Sequence, residues 1–208
     1  MEWDYNSIPL EDPVTLALGQ KILPDLTADN HRIAVRKAIE VGDIMSALMQ
    51  CGYKYLVPFI LDNWEFLKNN GMYEKALAFA LTMPRKYHHH ISPGPLRFLL
   101  TMAIRATLEA EGDPIPEGES FTLFRGVAGK GVERRLVGIS WTSDSDRSKW
   151  FTKSSADLEN YTVLKAVVSR DAIYFYNNRN KEHEFICIIP QKTKLECVEG
   201  LGPTDRSA

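Results

Sequence analysis

Glu111-Gly112-Asp113-Pro114-Ile115-Pro116-Glu117-Gly118-Glu119 is the stretch on which the fold turns. Two prolines, two glycines and four acidic residues in nine positions cannot continue a helix. The hydrophobic pattern also changes period across it. Before it, from about Asp29 to Glu111, apolar residues recur at helical spacing. The clearest stripe is Leu56, Phe59, Ile60, Trp64 and Leu67, with Pro58 tolerated in the first turn and Gly71 as the stop. A second helix is predicted from about Pro93 to Glu111, with Leu96, Leu99, Leu100, Ala103 and Leu108 facing inward and Gly112 ending it. Weaker helical patterns cover roughly 30–50, interrupted by Gly42, and 72–82, ended before Pro84.

After the stretch the runs become short and rich in Val, Ile, Phe, Tyr and Thr. Strands are predicted over Phe121–Val127, Leu136–Thr142, Thr162–Ser169, Ala172–Tyr176, Glu184–Ile189 and Lys194–Val198, with one helix near Asp146–Lys153. The expected organisation is a mainly helical region over 1–112 followed by a mainly β region over 113–208, an α+β fold.

Composition narrows the class further. Of the 208 residues, 44% are hydrophobic and 25% charged, enough apolar surface to bury a core and unlike a disordered chain. Twenty-five basic against 27 acidic residues leave a net charge of −2, so there is no bulk attraction to nucleic acid or anionic membranes. Cys51, Cys187 and Cys197 have no metal or disulfide spacing and suit a reducing compartment, which implies the cytoplasm, of the producing cell or of a target cell reached by a signal-less route. The acidic start Met1-Glu2-Trp3-Asp4 lacks the pattern of a secretory signal, and no apolar run approaches about 18 residues, so no membrane partner is expected. His88-His89-His90 cannot all face one ion from regular structure, so it reads as a solvated turn and no metal is expected. Gly129-Lys130-Gly131 lacks the rest of a phosphate loop. Cys187, within an apolar run, reads as a small buried hydrophobe, and the Trp64 stripe as helix packing.

Four pieces of the β region carry a more specific message: Leu123-Phe124-Arg125-Gly126-Val127, Gly138-Ile139-Ser140-Trp141-Thr142, Trp150-Phe151, and Glu182-His183-Glu184-Phe185-Ile186. In this order they resemble the arginine–serine–glutamate signature of the mono-ADP-ribosyltransferases related to cholera toxin and the C2/C3-type clostridial toxins, over roughly the last 90 residues. The resemblance implies a split β-sheet core of that family and NAD+ as co-substrate, with no metal. It implies that Arg125, followed by Gly126, grips an NAD phosphate. Ser140 holds the ribose and orients the catalytic glutamate, while Thr142 closes the Ser-Thr-Ser-like motif, in which Trp141 replaces the usual Thr. Phe151 stacks on nicotinamide. Glu184 is then the catalytic glutamate, and Glu182 positions the acceptor. The polar loop from Tyr176 to Lys181, with Asn178 and Arg179, contacts a macromolecular acceptor, for which protein arginine is the first expectation and RNA or DNA the second. A compact bacterial or phage-type transferase is implied, acting as a toxin if the helical region receives a neutralising antitoxin.

Elementary chemistry asks for the same residue types. Breaking a nicotinamide–ribose bond develops positive charge on the sugar, as in glycoside hydrolysis, and a fixed carboxylate stabilises it. A diphosphate favours a planar, permanently charged donor such as Arg125, and Gly126 lets backbone approach a ligand. Residues i and i+2 of a strand share a face about 6.6 Å apart, so Glu182 and Glu184 are expected side by side, with His183 pointing away. An NAD glycohydrolase, with water as acceptor, needs the same residues. A transferase fold serving only as a binding module would need none of them.

Overall fold

The structure, a computed structural model, describes residues 34–35, 37–51, 53, 56–83, 93–128, 138–153 and 161–200. The Met1–Asp4 start, the three histidines 88–90, the Gly129–Gly131 turn and the beginning of the expected 136–142 strand lie outside them. The chain divides into two compact units, Met1–Glu111 and Gly112–Ala208.

In the first unit, Gly42 turns the chain with φ 73°, and Asp43 then opens helix α1 (Ile44–Cys51). Its carboxylate accepts the Ser46 N–H at 3.1 Å and the Ser46 hydroxyl at 2.7 Å, and these bonds hold its pKa below the usual value. Helix α2 (Leu56–Asn69) buries Leu56, Phe59, Ile60 and Leu67 of the predicted stripe. Trp64 is only half-buried and meets Phe98 edge-on at 5.5 Å. The helix bends at buried Asn63 (φ −121°, ψ 16°), whose amide donates to the Phe59 carbonyl at 2.9 Å. Gly71, at φ 66°, ends it, and α3 (Tyr73–Thr82) follows with Tyr73, Ala76, Leu77 and Ala80 fully buried.

The long helix expected from Pro93 to Glu111 is two helices, α4 (Pro93–Met102) and α5 (Arg105–Ala110). Ile104 between them is extended (ψ 106°). The break is made by side chains from earlier helices: Lys68 donates to the Met102 carbonyl at 2.6 Å, and the buried Glu74 carboxylate accepts the Ile104 N–H at 2.7 Å. Hydrogen bonds to charged groups contribute about 1.5–3 kcal/mol each, enough to offset the lost helical bonds.

Among its described residues the second unit holds one antiparallel sheet and a helix: β1 (Ser120–Ala128), β2 (Ser140–Thr142), α6 (Ser145–Lys153), β3 (Tyr161–Ser169), β4 (Ile173–Asn177), β5 (Glu184–Cys187) and β6 (Glu196–Gly200). The strand order is β4-β5-β2-β1-β3-β6. With helices and an antiparallel sheet, the fold is α+β. The last strand starts two residues later than its composition predicts. Pairing with β3 fixes it, with Lys165 opposite Glu196 and joined to it by a 3.0 Å ion pair. Likewise β5 stops at Cys187, and the next N–H, from Ile188, goes to the Ala172 carbonyl at 3.0 Å.

The two faces of this sheet differ. Leu123, Val127, Trp141, Leu164, Ala166, Val168, Phe185 and Cys187 share one apolar cluster. The opposite face carries α6. A Cβ on Gly126 would run into the Ser148 carbonyl oxygen and the Thr152 methyl of that helix. The close approach that Gly126 allows is therefore to α6 rather than to the expected ligand.

Candidate active site

Register settles which candidate residues can meet. Glu184 lies opposite Thr142, Thr142 opposite Phe124, and Phe124 opposite Lys165, so this row projects from the α6 face. Ser140 is on the same face, because it alternates with the core residue Trp141. Its hydroxyl donates a hydrogen bond to Glu184 Oε1, diagonally across the β2–β5 ladder. Ser140 and Thr142 are buried, while Glu184 is half-buried at the start of β5. The serine and the catalytic candidate are thus brought together as the sequence expects.

Arg125 is placed differently. It alternates with Leu123 and Val127 and pairs with Leu164, so it leaves β1 on the face of the apolar cluster, opposite to Glu184. Three contacts agree. Its Nη1 donates to the Ser140 main-chain carbonyl at 2.8 Å. Its guanidinium lies where a side chain at Gly138 would have to be. Its charge also reaches the core thiol of Cys187, which burial pushes up to about 12 and Arg125 pulls slightly back. Arg125 therefore braces β2 from behind, on the face of the sheet opposite to Ser140 Oγ and Glu184.

The Glu182–Glu184 pair is corrected. Only Glu184 is in the strand. Glu182 has helical angles (φ −84°, ψ −16°) at the end of the short 3-10 turn Arg179–Lys181, and His183 takes φ 45°. The same-face rule for i and i+2 holds within a strand, and the left-handed residue between these two ends it. Glu182 instead pairs with Arg147 of α6, Oε1 to Nη2 at 3.2 Å. His183 meets the Tyr176 hydroxyl through Nδ1 at 3.0 Å, and burial raises the Tyr176 phenol above its ordinary pKa.

Thr142 does not offer its hydroxyl outward. Its Oγ1 donates to the Glu182 carbonyl at 2.8 Å and accepts the Asp144 N–H at 3.1 Å, tying the turn before β5 to the start of α6. Asp144 then caps the helix by accepting the N–H groups of Asp146 (2.9 Å) and Arg147 (3.0 Å). On α6, half-buried Phe151 stands edge-on to Trp150, ring centres 5.3 Å apart. The acceptor-loop candidates Asn178 and Arg179 are exposed, and their main chain is pinned: Asn178 N–H donates to Asp113 Oδ2 at 2.6 Å, and Arg179 N–H to Asn177 Oδ1 at 3.0 Å.

Compared with protein-family models, curated proteins and solved structures, the chain matches none. The site's meaning thus rests on its own chemistry. Sequence reasoning missed two residues here. Gly138 makes room for the Arg125 guanidinium, and no local signal marks it. Arg147 holds Glu182, and its spacing to Trp150 and Phe151, three and four residues on one helix, is a signal that could have found it. Among the described residues no group of His, Cys, Asp or Glu could hold a metal ion, and no helix is long and apolar enough to cross a membrane.

Proposed function

We propose that this chain is an NAD-dependent mono-ADP-ribosyltransferase acting on a macromolecular acceptor, with Glu184 as its catalytic residue. The observation that carries the reading is the Ser140 hydroxyl donating to the Glu184 carboxylate from the neighbouring strand. A carboxylate accepts several hydrogen bonds at once, so Glu184 bonds a ribose 2′-hydroxyl while Ser140 fixes its direction. The ribose end of NAD fits this pair, and half-buried Phe151 on the same side of the sheet offers its ring to nicotinamide. A diphosphate on that face does not fit Arg125, which is rooted on the other. Its role in this reading is to position Ser140 through the carbonyl.

When bound, NAD supplies the nicotinamide–ribose bond that is cleaved and the ADP-ribose that is transferred. Glu184 stabilises the positive charge that grows on the sugar as the bond to nicotinamide breaks, the electron pair leaving with the ring. The acceptor then bonds the same carbon and gives up a proton to solvent. Protein arginine is the acceptor class proposed first, because Glu182 already holds a guanidinium. That same ion pair favours hydrolysis as the second reading, since a carboxylate that is already paired steers no acceptor. Incubation of the chain with NAD labelled in its adenylate half and a whole lysate separates the two. Label retained on protein, or on RNA, is the expected result; nicotinamide release with all label left as free ADP-ribose would establish the hydrolase instead.

A further inference from the structure

The row of side chains on the α6 face does not end at Glu184. Asn177, the last residue of β4, lies directly opposite Glu184 across the β4–β5 ladder, so both leave the sheet on one face with Cβ atoms about 4.5–5.5 Å apart. Tyr176 before it belongs to the apolar cluster on the other face, as strand alternation requires. Asn177 is buried as deeply as Ser140, each 7% exposed. Its Oδ1 accepts the Arg179 N–H at 3.0 Å. That bond fixes which way the amide is turned, because only the oxygen accepts, and it leaves the NH2 group over. Nδ2 has no partner among the described residues. Buried amide donors are as a rule bonded, since an unmet one costs the desolvation of the group, so a donor left over at this depth calls for an acceptor on a ligand.

The Glu184 carboxylate beside it only accepts. A carboxylate and an NH2 group on adjacent strands match a ligand that donates from one atom and accepts at a neighbouring one, as two hydroxyls on adjacent carbons do. We propose that Glu184 and Asn177 together grip the vicinal diol of a ribose, Glu184 accepting from one hydroxyl and Asn177 Nδ2 donating to the oxygen of the next. The choice of a ribose rests on the transferase reading. The pairing of donor with acceptor rests on the β4–β5 register. A sugar held at one hydroxyl still turns about that bond, and the second contact stops it, keeping the reacting carbon in one orientation to Glu184.

ADP-ribose carries the diol without a carboxamide, and nicotinamide a carboxamide without the diol. Each is titrated by calorimetry into the full chain. Asn177→Ala and Asn177→Asp should each weaken ADP-ribose binding about tenfold, the size of one hydrogen bond, and leave nicotinamide as it is with the unmodified chain. The two substitutions share only the lost donor: Asp keeps an oxygen for the Arg179 N–H and adds a charge, and Ala does neither. Weakening by Asp alone would trace to charge, and weakening by Ala alone to the Arg179 bond. Either overturns the proposal, as does an unmodified chain that does not bind ADP-ribose. Loss of nicotinamide binding with ADP-ribose unchanged would move the contact to the carboxamide and overturn it too. Far-ultraviolet circular dichroism checks folding; if Asn177→Ala is unfolded, Asn177→Leu, which fills the volume without a donor, takes its place. The two readings fail separately. A chain with Asn177-dependent affinity for ADP-ribose that releases no nicotinamide from NAD keeps the grip and loses the transferase. A chain that releases nicotinamide but binds ADP-ribose alike in all its forms loses the grip alone.

Discussion

Two carboxylates two residues apart meet opposite surroundings in this chain. Glu184, the first residue of β5, accepts a hydrogen bond from the neutral hydroxyl of Ser140 on the neighbouring strand. Glu182, in the turn before it, is neutralised by Arg147. The main chain makes the difference: a left-handed His183 at φ 45° separates a strand residue from a turn residue. A short acidic run is therefore two devices. One is oriented by a hydroxyl dipole, and the other is paired with a cation.

The largest effect that could break this comparison is on Glu184. Glu184→Gln keeps the shape and the bond to Ser140 but removes the charge, and should lower nicotinamide release by about 10²–10³-fold, as loss of a preorganised charge-stabilising group does. A smaller change would show that the strand glutamate is no more special than its neighbour. Next is Gly126, whose Cα backs against α6. Gly126→Val would force the helix that carries Arg147, Trp150 and Phe151 off the sheet, at a cost of about 2–3 kcal/mol by urea denaturation. An unchanged midpoint would mean that α6 is not seated there.

Arg125 sharpens the contrast between the two faces of the sheet. If it braces Ser140 from the core side, Arg125→Met should cost about 1.5–3 kcal/mol of stability, the value of a hydrogen bond to a charged group, where Glu184→Gln costs little. A purely catalytic loss with unchanged stability would put its guanidinium on the Glu184 face. The smallest effect concerns Cys187. Burial raises its pKa from 9.0 to about 12, so the neutral thiol stabilises the folded state fully below pH 9, and that contribution is lost as pH rises towards 12. In the folded chain at pH 9.5 it should resist iodoacetamide for hours, and rapid alkylation there would show an open core.

Much of the fold was legible in the sequence, because most of its elements are set by local periodicity. The α2 stripe and the six strands follow from spacing and turn residues near them. What escaped is set by partners distant in sequence. Lys68 and Glu74 break the helix at Ile104, and the β3 ladder moves the last strand to Glu196–Gly200. In the site, Ser140 and Glu184 were paired by the resemblance alone, and it is the β2–β5 ladder that brings them together. The placement of Arg125 carried a readable warning, since Leu123 and Val127 flank it in one apolar row. The tripeptide Phe124-Arg125-Gly126 drew attention to the residue type and away from the face. Glu182 was misjudged for a different reason: strand periodicity was extended through His183, although histidine is among the residue types that take a positive φ more often than most.

The central claim, that Glu184 cleaves the nicotinamide–ribose bond, is most directly tested by chromatography of NAD incubated with the full chain and with Glu184→Gln, both shown to be folded. The account predicts nicotinamide release by the first, raised when lysate supplies an acceptor, and almost none by the second. Folded, unmodified chain that leaves NAD intact with lysate present, or equal release by the two, would contradict it.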